Sequence, residues 1–321
     1  MPTRVSRGYL VLPLMASVFL TGCVKQVRST VPAFAQAAEL TSTNVQGAFE
    51  SVNAAYGDAQ NLHYAVTYDG KVDPSTISAG WLKAEDLNVR LQILQGLKQY
   101  ASELNSLTGS NDVDNLNQAS TAVGSSLTAL SKTAPFQKIT KQLPASFASE
   151  AATAVNALGN WLIEQKLAKN LPPLIEKMDP NIQSICKLLV ADIGSVNTDP
   201  GKPAEGSGLR EVLWIQYNSI ILSQNQYILH NQCNGAEAPT NCFSPEARFA
   251  EIQKLLALLR QRSAADQTLQ QVQVTVKQLA QAHTELVKAA QTKQRLTADL
   301  GDLLVEAQRL DTYYKSLSNT K

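Results

Sequence analysis

The longest apolar pattern in the chain occupies 244–317. No proline follows Pro245 and no glycine occurs before Gly301. Ser244 fits an N-cap, Pro245 the first helical position, and Glu246 the positive end of the helix dipole. Leu269, Val272, Val276, Leu279, His283 and Leu286 recur at steps of three and four. Leu296, Leu300, Leu303, Ala307, Leu310, Tyr314 and Leu317 repeat the pattern. Such a narrow seam predicts one very long helix, a rod on the order of 105 Å at 1.5 Å per residue. The seam slips by a residue or so between Leu286 and Leu296, as a stammer makes it. A break near Ser263, with the chain folding back, is the alternative reading.

The same periodicity predicts six shorter helices upstream. The first spans 31–68, with Phe34, Ala38, Val45, Phe49, Val52 and Tyr56 on one broad face. Asp69-Gly70 and Asp73-Pro74 break it. The second spans 83–107 and the third 112–132, and Pro135 and Pro144 bracket a connector at 133–143. The fourth spans 145–170 and ends at Pro172-Pro173. A fifth runs to about 196, restarted or kinked at Asp179-Pro180. The sixth, 209–232, is apolar on more than one face and is expected to be the most buried.

Strand signals are nearly absent, so the fold class is all-α, an elongated antiparallel helical bundle. The expected arrangement is two stacked four-helix tiers that share the long C-terminal helix. Residues 31–132 bundle with 275–321 in one tier, and 133–274 form the other. In this scheme the fifth and sixth helices make an antiparallel hairpin, with Cys186 opposite about Ser219. The loop 234–241 and the turn 170–173 meet at one tip.

The N-terminus reads differently. Arg4 and Arg7 precede an apolar run from Tyr9 to Leu20, interrupted by Pro13, and Thr21-Gly22-Cys23 follow. That is the layout of a secretory signal, too short and too broken for a spanning helix. Leu20-Thr21-Gly22-Cys23 resembles the lipobox of bacterial lipoprotein precursors. The resemblance implies cleavage of 1–22, diacylglycerol in thioether linkage on Cys23, and acylation, for example with palmitate, of the new amino group. It makes 23–30 a lipid-anchored tether. Several acyl chains give firm anchoring where one is reversible. Val24 rather than Asp after the cysteine implies the outer membrane of a Gram-negative envelope, facing the periplasm.

Charge and composition narrow the partners. Without Arg4 and Arg7 the chain has 26 basic and 27 acidic side chains, a balance of −1. A near-neutral, mixed surface argues against nucleic acid, whose phosphates need a basic stripe. Cys233 and Cys242 flank a short loop between two helices, and in an oxidising compartment a disulfide is the favoured reading over two free thiols. Cys186 reads as a small buried hydrophobe. His63, His230 and His283 are far apart, and neither a Glu-x-x-His pair nor a Cys-x-x-Cys-His site occurs, so no metal or other cofactor is expected. His283 falls on the apolar seam, where a core histidine is expected. Lys321 resembles the terminal lysine of murein-linked lipoproteins, although two tiers would return the C-terminus to the membrane and favour a chance basic end.

These readings point to a non-enzymatic, lipid-anchored envelope scaffold, adaptor or docking module. Its membrane contact is the lipid on Cys23, and Glu237 and Phe243 are candidate contacts for a periplasmic protein partner. A bundle that binds a small apolar ligand is the alternative, and an envelope enzyme built from distant ionisable groups is a third reading.

Overall fold

A computed structural model of the chain describes residues 18–68, 80–108, 113–141, 143–164, 171–196, 208–233, 242–292 and 298–318. Among them are α1 (Val18–Thr67), α2 (Ala84–Ser106), α3 (Val113–Leu130), α4 (Ala134–Thr140), α5 (Ala145–Glu164), α6 (Leu171–Ile193), α7 (Leu209–His230), α8 (Pro245–Gln291) and α9 (Ala298–Ser318), with no strand. The fold is an all-α antiparallel helical bundle. α1 includes 23–30 in its helical backbone and carries Pro32 inside it.

α1 and α8 form the axis, running in opposite directions. Phe34 meets His283 near one end, and Gln261 donates 2.9 Å to the Ala55 carbonyl near the other. The reason lies in seven-residue rows. On α8, Ala265, Val272, Leu279 and Leu286 form one row, and Leu269, Val276, His283 and Ala290 a second. Thr268, Thr275, Ala282 and Ala289 form a third, and all twelve are buried. On α1, Val31, Ala38, Val45, Val52 and Ala59 make the matching row. Three buried positions per heptad make a face too wide for a single neighbour.

That width overturns the single C-terminal rod. α8 ends at Gln291, Thr292 is extended (φ −121°, ψ 163°), and α9 returns antiparallel along α8. The slip between Leu286 and Leu296 is therefore a reversal of the chain, and the backbone is unbroken at Ser263. The third row explains the fold-back. Its small side chains let α9 come close, and Thr275 Oγ1 donates 3.3 Å to the Glu306 carbonyl. Leu300, Leu303, Ala307, Leu310 and Leu317 are buried as α9 fills the groove between α8 and α1. Asn44 donates 2.8 Å to the Ala307 carbonyl, and the Tyr314 ring lies over Gly47. α9 thus ends beside the middle of α1 rather than beside its start.

The other flank is built from α2, α3, α5 and α6. α2 runs antiparallel to α1, with Asn53 accepting 2.8 Å from Leu82 N at one end and Glu39 3.1 Å from Lys98 at the other. α3 and α5 cross at Gly124 and Gly159, where a Cβ on either glycine would stand 2.6–2.7 Å from the other's carbonyl oxygen. α6 is antiparallel to α8 and continuous through Pro180. Gln183 donates 2.8 Å to the Ala280 carbonyl and Gln273 2.8 Å to that of Gly194.

α6 and α7 do not form the expected antiparallel hairpin. Both run against α8, one after the other, with Gly194 turning at φ 65° where α6 ends. α6 lies along 273–291 and α7 along 251–266, the latter fixed by Arg210–Asp266 (2.7 Å) and Gln224–Glu251 (2.8 Å). Two sets of helices do succeed each other along α8. Yet α1 accompanies both, and α5 packs with α3, α6 and α2 rather than with α7. The connector at 133–143 contains α4, opened by Thr133, which accepts from Phe136 N at 3.4 Å, and by Pro135. These are the same start signals that mark α8.

Candidate functional site

Two ionisable clusters lie inside the bundle. In the first, His283 on α8 bridges α6 and α2, with Nδ1 2.8 Å from Asp179 Oδ1 and Nε2 2.8 Å from Tyr100 Oη. An ionised carboxylate only accepts, so Nδ1–H donates to Asp179 and Nε2 accepts from the phenol. Burial acts to raise the Asp179 carboxyl, but hydrogen bonds from His283 and Gln183 outweigh it and leave the group below its ordinary value. Burial, with the Asp179 charge, holds the Tyr100 phenol well above its usual range. The Cys186 thiol is pushed up to about 12 by the same two causes in the same order. Phe34 and Trp161 close the cluster with edge-on ring contacts at 5.6 and 4.8 Å. His283 is 0% and Tyr100 1% exposed, so no solute reaches either. The histidine is the core histidine its place on the seam predicts.

In the second cluster, Arg90 grips Asp192 with two hydrogen bonds of 2.7 Å and gives a third, 2.6 Å, to the Asp86 carbonyl. Lys138 reaches Asp86 at 2.5 Å. Burial raises the Asp192 carboxyl even beside the guanidinium. This pair ties α2 to the end of α6. Among the described residues, no group of three or more His, Cys, Asp or Glu side chains is placed to hold a metal ion. No helix there is long and apolar enough to cross a membrane.

The end of the bundle carrying α7 and the start of α8 differs in kind. Cys233 and Cys242 are joined in a disulfide, with Cα atoms 5.1 Å apart, and Cys186 is free and buried. Phe243 N donates 2.8 Å to the Asn231 carbonyl, and the Phe243 ring meets Tyr227 edge-on at 5.4 Å. Phe243 is therefore half-buried and partly spent on its own hairpin. Glu237 and the rest of 234–241 lie outside the described residues, as do Lys321 and the side chain of Cys23. The turn at 170–173 is not a neighbour of this hairpin. Glu176 accepts 2.9 Å from Gln291, which puts the start of α6 at the far end of α8, on the order of 70 Å away by helical rise.

α7 is the largest departure from expectation. Leu213, Tyr217, Ile220, Gln224 and Ile228 face inward, and Tyr217 meets Tyr56 of α1 edge-on at 5.6 Å. The second apolar face points outward, leaving Ile215 59%, Leu222 56% and Leu229 53% exposed. The expectation that this helix is the most buried is therefore wrong. Among the described residues no helix packs on its outer face, because α1 and α8 both lie on the inner side. The warning was in the sequence. Asn218, Ser219, Asn225 and Gln226 interrupt the outer row, whereas helices enclosed on all sides lack such breaks. No Asp, Glu, Lys, Arg or His occurs from Val212 to Leu229. The start of α8 adds Phe249, 62% exposed, with Ile252 and Leu256. Arg262 lies 4.0 Å over the Trp214 ring and donates to Asn218 at the edge of the α7 row.

Comparison of the chain with protein-family models, with curated proteins and with solved structures finds no match.

Proposed function

We propose that this chain is a lipid-anchored helical scaffold of the bacterial envelope, held by acyl chains on Cys23, that docks a partner protein through the outer face of α7. The observation that carries the reading is the row Ile215, Leu222 and Leu229, more than half exposed on a helix with no charge between Val212 and Leu229. Scattered apolar side chains on a surface need no explanation, but aligned ones on a charge-free helix face mark an interaction site. The position suits the task. Tyr56, which touches α7, is 33 residues along α1 from Cys23, so the docking face stands about 50 Å from the anchor by helical rise. The disulfide at the end of the hairpin limits the entropy lost when a partner binds.

Two variants test the two halves of this reading. Cys23→Ala should abolish the acylated form and leave uncleaved or soluble chain, and continued incorporation of labelled palmitate would remove the anchor from the proposal. Replacing Ile215, Leu222 and Leu229 together by Gln should leave far-ultraviolet circular dichroism unchanged and abolish partner capture by crosslinking in membranes. Full capture by that folded variant would move the docking surface elsewhere on the bundle.

A further inference from the structure

Resting on the docking reading, we infer that the partner seated on the α7 row is the same row of a second copy of this chain, side by side and in register. In such a pairing every residue of the seam faces its own counterpart. A charge anywhere along it would meet a like charge at short range, and like charges there are repulsive. α7 itself carries no Asp, Glu, Lys, Arg or His between Val212 and Leu229, and Arg262 of α8 is held at the edge of the row by Trp214 and Asn218. Ile215, Leu222 and Leu229 stand one heptad apart, the spacing at which two parallel helices keep a common seam in contact.

The polar residues suit the same geometry. Asn218, Ser219, Asn225 and Gln226 lie between the apolar steps and are exposed. Asn218 is engaged by Arg262, but Ser219, Asn225 and Gln226 each carry a donor and an acceptor, so each can satisfy a copy of itself across a twofold axis. Val212, Ile215, Leu222 and Leu229 supply roughly half of the about 800 Å² per partner that a standard interface buries. These four polar residues extend the patch along the rest of the seam. A membrane surface is a poorer occupant, since the row lacks the Lys and Arg that draw an amphipathic helix to anionic lipid. Anchoring by the start of α1 favours the parallel arrangement. Tethered chains stand the same way up, and α7 runs in the same direction as α1.

Single cysteines at 215, 222 and 229 test this in the full chain, in membranes, with a short bismaleimide. Cys186 is buried and Cys233 is bonded to Cys242, so the parent chain treated identically serves as the background. Ile215→Cys, Leu222→Cys and Leu229→Cys should each give a homodimer band, at least tenfold above parent. Adding Ser219→Lys to Leu222→Cys should reduce that band at least tenfold, because each lysine then faces another. Crosslinking at Leu222→Cys alone would overturn the in-register pairing. If all three cysteines capture only a different protein, self-pairing falls while the docking reading stands. If they capture nothing, both fall.

Discussion

At the scale of single residues, the bundle hides its polar groups in a few cross-helix links. The link through His283 is the most consequential. Asp179 lies 104 positions away in sequence and Tyr100 183, yet both reach the imidazole at 2.8 Å. The sequence places His283 on the apolar seam but cannot name its partners. Asp179 reads locally as a cap for Pro180, and Tyr100 as one more apolar position on α2. The depressed Asp179 carboxyl has a measurable consequence. A carboxyl held below its unfolded value contributes stability that is fully present above that value, near pH 4 for Asp. The contribution is lost as the pH falls through the lower, folded value. Urea midpoints of the parent chain should therefore fall between pH 5 and pH 3. In Asp179→Asn, which still accepts from His283 Nδ1–H, that fall should be smaller while the midpoint at pH 7 drops. An identical acid slope in the variant would mean that Asp179 does not couple folding to pH.

At the scale of elements, periodicity reads helix positions well and helix partners badly. The second, third and sixth predicted helices lie within about two residues of α2, α3 and α7 at each end, because Gly, Pro and capping residues mark their limits. What escaped was the third row on α8. Thr268, Thr275, Ala282 and Ala289 do not look like a core, yet their small size is what admits α9. The crossing of α3 and α5 also depends on what is absent from a side chain. Gly159→Ala places a Cβ 2.7 Å from the Gly124 carbonyl and 2.9 Å from Thr128 Cγ2. The two helices must move apart, at a cost of about 1–3 kcal/mol by analogy with overpacked cores. Gly→Ala inside an exposed helix would instead stabilise by about 0.5–1 kcal/mol, so the sign of the change is decisive. Chemical denaturation of Gly159→Ala should show a lower midpoint with an unchanged slope. A higher midpoint would mean that the helices are not held this closely.

Over the whole molecule, the bundle is covered unevenly along its axis. The stretch of α8 from 265 to 290 has α1, α6 and α9 around it and three buried rows. Among the described residues its first third packs against α7 and α1, and there Leu258 is the one buried apolar side chain before Ala265. The sequence revealed the disulfide at this end. It hid the thinness of the cover, because a helix apolar on two faces reads as enclosed unless its neighbours are counted. Cooperative units open separately where buried contacts are few. The disulfide spans nine positions, and closing so short a loop stabilises the folded state by about 2–3 kcal/mol on the chain-entropy account. That stabilisation belongs to the hairpin, far from α2, α3 and α5. Replacing both Cys233 and Cys242 by Ser should therefore speed amide exchange in α7 and in α8 from 245 to 258. Protection in α2, in α9 and in α8 from 265 to 290 should stay as in the parent chain. Hydrogen exchange read by mass spectrometry separates these peptides directly. A uniform loss of protection across all helices would show that the bundle opens as one unit, and that its α7 end is no weaker than the rest.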